Sequence, residues 1–201
     1  MKGVFSTMAK FFGNLANVLL VSFALLTIVI FAFHNGTDTP TYLNALFRFF
    51  HTLFGIMWIG LLYYFNFVQI PTMPSVPAEL KPGVSKYIAP SALFWFRWAA
   101  AATVLMGLIV AAHPPNQYLG AALMLSEGYR LIGVGMWLGL IMAFNVWFVI
   151  WPNQKKALGI VTVEAAEKAK AARMAMLTSR FNTMLSLPML YCMVAQQNGG
   201  L

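Results

Sequence analysis

Charged residues are scarce in this sequence. Only 9% of its 201 residues are Asp, Glu, Lys or Arg, whereas 60% are hydrophobic and the mean hydropathy is +0.73. A water-soluble domain needs about 25% charged residues to cover its surface, so the composition excludes a soluble fold. In lipid the outer surface of each helix is apolar as well, and the same composition becomes appropriate. The sequence therefore predicts an integral membrane protein.

Acidic residues are the rarer of the two charged classes. Thirteen Lys and Arg stand against five Asp and Glu, which gives a formal net charge of +8. Such an excess is typical of nucleic-acid-binding proteins when the basic residues cluster on one surface. In this chain they lie in short connections between apolar runs, which indicates membrane topology and argues against nucleic acid as a partner. We therefore expect the lipid bilayer to be the first partner of this chain.

Cysteine is almost absent. The single Cys192 lies inside an apolar run. One cysteine excludes an internal disulfide, a CxxC pair and the CxxCH motif that attaches haem covalently. The sequence therefore contains no c-type haem site.

Five apolar runs approach the roughly 20 residues that a helix needs to cross the hydrocarbon core. They span residues 15–33, 49–70, 91–112, 129–151 and 181–195. We predict an all-α integral membrane bundle of about five transmembrane helices in a single domain, residues 1–201, with a helical extension over residues 162–180. The first run also resembles the apolar part of a signal peptide. It is long and lacks a small-x-small cleavage site, so we predict a retained helix.

Basic residues lie on alternate sides of these runs. They precede the first run, separate the second from the third, and separate the fourth from the fifth. The residues concerned are Lys2, Lys10, Lys81, Lys86, Lys155, Lys156, Lys168, Lys170, Arg173 and Arg180. The positive-inside rule then predicts a cytoplasmic N-terminus and a periplasmic C-terminus, in the inner (cytoplasmic) membrane of a bacterium.

Two of the connections have a predicted structure of their own. Five prolines fall within residues 71–90, which we expect to form a stiff extended loop that ends where Ser91 caps the third helix. Thr162, followed by Glu164, suits the N-cap of the helical extension. That extension is either a solvated charged helix or a docking arm for a partner protein, and the sequence leaves both open.

His51 lies in a pattern that favours a cofactor site. It shares one helical face with Gly55 and Trp58, and Arg48 lies one turn before it. A glycine beside the imidazole lets a flat macrocycle approach the backbone, and an arginine can pair with a propionate. The pattern is that of a b-type haem held between helices, with Trp58 expected to contact it.

The other two histidines, His34 and His113, also fall at the outer ends of predicted helices. His113 is the most economical second axial ligand, with His34 in reserve. A histidine near the interface is commonly just solvated, and that interpretation stays open for both. Three imidazoles could also bind copper or zinc, but Asp38 is the one acid nearby and no Cys or Met lies at ligand spacing.

A second polar group is predicted in the inner half of the bundle. It comprises Arg97 in the third run with Asn66, Asn145 and Asn182 in or beside the other runs. Polar side chains at this depth need partners, and amides and a guanidinium can supply them to one another. The group is either a structural hydrogen-bond clasp or an anion or substrate site reached from the cytoplasm.

Four segments of the sequence carry a resemblance to a known family. They are His51-Thr-Leu-Phe-Gly-Ile-Met-Trp-Ile-Gly-Leu-Leu-Tyr-Tyr-Phe-Asn-Phe-Val-Gln-Ile-Pro71, Phe94-Trp-Phe-Arg-Trp98, Asn145-Val-Trp-Phe-Val-Ile-Trp-Pro-Asn-Gln-Lys155 and Ser179-Arg-Phe-Asn-Thr-Met-Leu-Ser-Leu-Pro188. Together they resemble the membrane domain of the bacterial membrane-bound urate hydroxylases, the urate oxidase N-terminal domain. The helix of His51 is also similar to the haem-ligand helix of the bacterial membrane protoporphyrinogen oxidases.

The resemblance implies a membrane oxidoreductase that passes substrate electrons toward a cytochrome c. The family's membrane domain is longer and usually continues into a c-type cytochrome domain, whereas this sequence ends at Leu201 without CxxCH. Two functions therefore stay open. One is a redox protein that binds haem b and passes electrons at the periplasmic side. The other is a cofactor-free accessory or structural subunit of a larger membrane complex. No residue identifies a substrate or a catalytic group.

Overall fold

The secondary structure of the chain is helical. The computed structural model describes residues 8–34 and 36–199, and within these ranges there is no strand. Lys2, one of the basic residues of the predicted topology, and Leu201 lie outside the described residues. The chain divides into two compact units, Met1–Tyr42 and Leu43–Leu201. The all-α fold class is confirmed.

Helix α1, Leu15–Phe33, has the same bounds as the first apolar run. The side chain of Asn14 caps it by accepting a hydrogen bond of 3.0 Å from the Ala16 N–H. His34 follows as the C-cap residue, and its backbone N–H donates to the Ile30 carbonyl. An asparagine cap followed by an uninterrupted apolar run explains why the predicted bounds of this helix agree with the structure.

Five further helices follow in the described chain. They are α2 (Thr39–Ser75), α3 (Lys81–Ala112), the short α4 (Leu119–Leu123), α5 (Arg130–Ala157) and α6 (Ala165–Gln197). Four helices, α1, α2, α3 and α5, are long and apolar enough to cross a membrane. The fifth predicted crossing, residues 181–195, lies within α6, a continuous helix of 33 residues that is not among these four.

Three π-helical turns interrupt α2, α3 and α5, each just before a proline. They are Tyr64–Gln69, Val84–Ile88 and Asn145–Ile150. In the first, the Ile70 N–H donates to the Phe65 carbonyl, five residues back, and Pro71 follows. Pro90 and Pro152 occupy the same position in the other two helices. Because a proline ring clashes with the carbonyl four residues earlier, the wider turn lets the helix continue through it.

The expectation of an extended loop over residues 71–90 is wrong, because the π-helical turns let the helices continue through Pro71 and Pro90. Only residues 76–80 lie outside the helical turns of α2 and α3. Ser91 is inside α3 and caps nothing. The predicted N-cap of the last helix is also displaced: α6 begins at Ala165 with Glu164, not Thr162, at its N-cap.

Within the unit Leu43–Leu201, the helices α2, α3, α5 and α6 form an antiparallel bundle. Its core contains side chains from all four helices: Trp58, Ile59, Leu62, Phe65, Leu93, Phe96, Ala99, Ala100, Met142, Val146, Ile150 and Met189. One end, here called the basic end, carries Lys81, Lys86, Lys155 and Lys156. The opposite end, the histidine end, is where α3 finishes at Ala112 and α5 begins at Arg130.

Helix α6 runs beside α5 in the opposite direction. A Cβ added to Gly135 would come within 2.8 Å of the Cys192 Cβ, so only glycine permits this approach. Further along, Asn145 contacts Asn182. These contacts hold α6 against α5 from the histidine end to beyond its middle.

Candidate functional site

His51 joins α2 to α3 through a backbone hydrogen bond. Its Nδ1 lies 2.8 Å from the Thr103 carbonyl oxygen. A carbonyl only accepts, so Nδ1 carries the proton and donates it. In this neutral tautomer the lone pair is on Nε2, the nitrogen that a metal would bind.

Gly107 makes room for the imidazole on α3. A Cβ on Gly107 would come within 2.8 Å of Cε1 and 2.9 Å of Nδ1 of His51, closer than real Cβ contacts allow. Sequence reasoning missed both Gly107 and Thr103. A glycine inside an apolar helix is a signal of close approach, so Gly107 was detectable, whereas a backbone acceptor has no signature in sequence.

The other residues of the predicted haem face pack inside the bundle. A Cβ on Gly55 would lie 3.8 Å from the Thr103 Cγ2, an ordinary contact between α2 and α3. Trp58 is only 2% exposed and belongs to the core. Its indole N–H is buried and has no acceptor among the described residues.

Arg48 and His113 meet around a residue that the sequence did not single out, Asn44. The Asn44 side-chain amide is buried and donates to the carbonyls of Val110 (3.1 Å) and His113 (3.2 Å), two groups that the end of α3 leaves without helical partners. Its Oδ1 accepts from Arg48 Nη2 at 3.4 Å and from the Asn116 amide at 3.0 Å. Asn44 therefore caps α3 and ties Arg48 to its end.

Tyr118 lies in the connection that follows this cap. Burial raises the pKa of its phenol, and the positive charge of Arg48 opposes that rise. The ring stacks on Tyr129 with 5.7 Å between centroids. Arg48 therefore interacts electrostatically with Tyr118, outside the helices, and forms a hydrogen bond with Asn44.

The structure does not bring His51 and His113 together. His51 contacts α3 at Thr103 and Gly107, and His113 follows ten and six residues later, about 15 and about 9 Å along a helix axis. The His113 Nδ1 lies 2.7 Å from the Pro114 carbonyl, and its ring meets Phe47 edge-on. His34 belongs to the other compact unit, where its ring lies 5.7 Å from that of Tyr42. Among the described residues, no three His, Cys, Asp or Glu side chains are grouped as a metal site.

The three predicted asparagines form hydrogen bonds between helices. Asn145 donates to Asn182 Oδ1 at 2.8 Å, and Asn182, which is 0% exposed, donates to the Met142 carbonyl at 2.9 Å. Asn66 on α2 donates to the Ser179 hydroxyl of α6 at 2.8 Å. This arrangement has the form of a structural clasp between α2, α5 and α6.

Arg97 lies apart from these asparagines, against Trp151 of α5. Its guanidinium carbon is 3.4 Å from the centroid of the Trp151 ring, and the side chain is 9% exposed. Its Nε and Nη1 are buried without an acceptor among the described residues. Trp147 donates to the Arg97 carbonyl at 3.2 Å, so α3 and α5 are joined twice at this level.

A cavity of about 140 Å³ opens among α2, α3, α5 and α6 at the basic end. Its walls combine apolar side chains such as Phe65 and Leu93 with Gln69, Gln154 and Ser179. The Oε1 atoms of both glutamines are buried and have no donor among the described residues. A cavity with this room and these polar groups is suited to ordered water.

The comparison with family models finds a match over part of the chain. Residues 116–199 match the model described as Urate oxidase N-terminal. The matched range includes residues 145–155 and 179–188, so the resemblance is confirmed over this part of the chain. His51 lies before it. Neither the curated proteins nor the solved structures contain a match.

Proposed function

We propose that this multi-pass membrane protein, whose residues 116–199 match the urate oxidase N-terminal family, binds haem b through His51 and transfers electrons at its histidine end. One observation carries the proposal: the hydrogen bond of 2.8 Å from Nδ1 of His51 to the Thr103 carbonyl. Histidines that ligate metals almost always donate their second ring N–H in this way, because the bond fixes the ring and its tautomer. His51 is therefore preorganised to present Nε2.

The residues around His51 fit this role. Gly107 leaves space for the ring against α3, and Thr103 holds it there. Arg48, bonded through Nη2 to Asn44, keeps other N–H groups that suit a propionate. The haem would supply a one-electron change at iron, and the chain would hold, orient and shield it. His113 lies beyond the end of α3, where its ring packs edge-on against Phe47, so the proposal uses His51 as the one ligand from this chain.

The direction of electron transfer follows from the topology. The lysines of the basic end favour a cytoplasmic location for it, which puts the histidine end on the periplasmic side of the inner membrane. A separate cytochrome c on that side would be the electron acceptor. An oxidoreductase activity would require a substrate site in addition to the haem.

A reduced-minus-oxidised visible spectrum of the purified protein tests the haem proposal. We expect Soret and alpha bands in the wild type and their loss in His51→Ala, with haem content falling in parallel. His113→Ala and His34→Ala are matched controls that should keep the bands. A wild type without these bands, or a His51→Ala variant with the full spectrum, would contradict the proposal.

A second candidate function is that of a cofactor-free accessory subunit. The observation in its favour is that the helix face expected to receive the macrocycle is in contact with other helices, since Gly55 approaches Thr103 and Trp58 is 2% exposed. On this proposal the bundle packs against other membrane subunits. Extraction in a mild detergent followed by size-exclusion chromatography should then give a complex that strong detergent dissociates. A protein that runs alone at every detergent strength would rule this function out.

A further inference from the structure

Arg97 forms no ion pair with a carboxylate among the residues that the structure describes. The five acids are Asp38, Glu79, Glu127, Glu164 and Glu167, and all of them lie outside residues 89–112, where Arg97 is found. Among the described residues the one ion pair joins Lys156 to Glu167. A guanidinium that is 9% exposed between transmembrane helices calls for an anion, because charges inside a membrane are stable only when paired or solvated.

A second cation approaches the same indole ring. The Arg97 guanidinium carbon lies 3.4 Å and the Lys155 Nζ 5.7 Å from the centroid of Trp151, so the two charges are at most about 9 Å apart. Cation–π contact stabilises each of them in part but does not remove their mutual repulsion. An anion that accepts a charge-assisted hydrogen bond of about 2.8 Å from each would bridge them.

The depth of these groups suits a lipid headgroup. Lys155 is two residues from the end of α5, and Trp151 lies about 6 Å further along the helix axis. Helical side chains lean toward the N-terminus, and α3 begins at the basic end, so Arg97 reaches from within the bundle toward that surface.

Exposed aromatic side chains flank the pair on both helices. On α3, Phe94 and Trp98 are exposed, and so is Phe148 on α5. A free anion gains nothing from such a surface, whereas the acyl chains of a phospholipid would cover it. The charge and the apolar surroundings together select a ligand that has a phosphate and a hydrocarbon tail.

We propose that Arg97, Trp151 and Lys155 form a binding site for an anionic phospholipid in the leaflet of the basic end. The phosphate would lie between the guanidinium and the ammonium, and the acyl chains would pack along the α3–α5 surface. The proposal is independent of haem binding at His51, which lies toward the other end of the bundle.

Native mass spectrometry of the detergent-purified protein tests this site. With equal amounts of phosphatidylglycerol and phosphatidylcholine added, we expect bound phosphatidylglycerol to exceed phosphatidylcholine at least tenfold. Arg97→Gln should reduce phosphatidylglycerol binding about tenfold and Lys155→Gln severalfold. The control Arg173→Gln, which removes an exposed charge from α6, should leave it unchanged.

Several outcomes would overturn the site. They are equal binding of the two lipids, wild-type retention of phosphatidylglycerol by both Arg97→Gln and Lys155→Gln, and displacement of the lipid by millimolar inorganic phosphate, which would identify a free-anion site instead. If Arg97→Gln does not fold, Arg97→Lys and Lys155→Gln test the site in its place. Arg97→Lys keeps the charge without the planar fork, so it should bind phosphatidylglycerol more weakly than the wild type and still prefer it to phosphatidylcholine.

Discussion

The position of the His51 side chain is fixed by a backbone atom that cannot be identified from the sequence. The patterns of helical spacing selected His51 together with Gly55 and Trp58, because side-chain identity and period are visible in a sequence. Its partner is the carbonyl of Thr103, a group that every residue has. Which carbonyl it meets depends on how α2 and α3 are aligned, and that alignment is a property of the folded bundle.

Gly107→Ala should displace the His51 ring. The added Cβ would come within 2.8 Å of Cε1, so the ring or α3 must move, and overpacking of this kind costs about 1–3 kcal/mol. Thermal or denaturant unfolding in detergent measures the loss.

Gly60→Ala on α2 is the matched control for this substitution. Nothing lies within 4 Å of the Cβ that would be added to Gly60, so this variant should be neutral or more stable by up to about 1 kcal/mol. Equal stabilities for the two variants would contradict the close packing of His51 on α3.

Asn44→Ala should loosen the C-terminus of α3. It removes the side-chain donor to the Val110 carbonyl, and an unmet buried acceptor costs about 1–3 kcal/mol, whereas the His113 carbonyl still accepts from the Asn116 N–H. Hydrogen exchange at the last turn of α3 should rise and the unfolding midpoint should fall. The control Asn198→Ala breaks an exposed bond to the Val194 carbonyl, and we expect a change below about 0.5 kcal/mol. An unchanged exchange rate in Asn44→Ala would refute this capping role.

At the scale of helices, the bounds predicted for α1 agree with the structure, whereas the ranges predicted for α2 and α3 are too short. The prolines explain the shortening at the basic end of both helices. Pro71 and Pro90 favour the prediction of a helix end, because each lacks a backbone hydrogen-bond donor. In the fold each follows a π-helical turn that moves the clashing carbonyl aside, so the helices continue. Such turns depend on packing around the helix and have no short sequence pattern.

The contact surface between α5 and α6, here called the seam, should show energetic coupling between Asn145 and Asn182. Asn145 donates to Asn182, which is 0% exposed, so Asn145→Ala and Asn182→Ala remove one shared bond. Couplings of this kind inside membrane proteins average about 0.6 kcal/mol and reach about 1.7 kcal/mol. We expect a value in the upper half of this range, measured by a double-mutant cycle. The control pair Asn44→Ala with Asn145→Ala shares no partner and should be additive, and additivity of the seam pair itself would disprove the clasp.

The start of α2 should be sensitive to acid. The side chain of Asp38 accepts a hydrogen bond from the Thr41 N–H at 3.0 Å, and this bond lowers the pKa of the carboxyl. A lowered pKa in the folded state means that the capping contribution is complete above the unfolded pKa of about 3.9 and is lost as pH falls through the folded value. Hydrogen exchange at the Thr41 amide should therefore lose protection at low pH. Asp38→Asn caps without a charge, so its protection should not follow this titration.

At the scale of the whole chain, composition and the lengths of the apolar runs predicted most of the architecture. An excess of apolar residues indicated helices in lipid, and the described chain is helical with four helices able to cross a membrane. The sidedness is different in kind, because it depends on lysines outside the membrane and on how the chain is inserted. Labelling from one side of the membrane tests it.

Helix α6 gives the sharpest test of sidedness, since its two ends should lie on opposite sides. Thr162 precedes it, Asn198 follows it, and both are exposed. In a Cys192→Ser background, a membrane-impermeant maleimide applied to spheroplasts should label Asn198→Cys at once and Thr162→Cys only after permeabilisation. Labelling of both from outside would mean that α6 does not cross, and the reverse pattern would invert the topology. Crossing is expected because α6 is held beside α5, whose 28 residues are long and apolar enough to span the membrane.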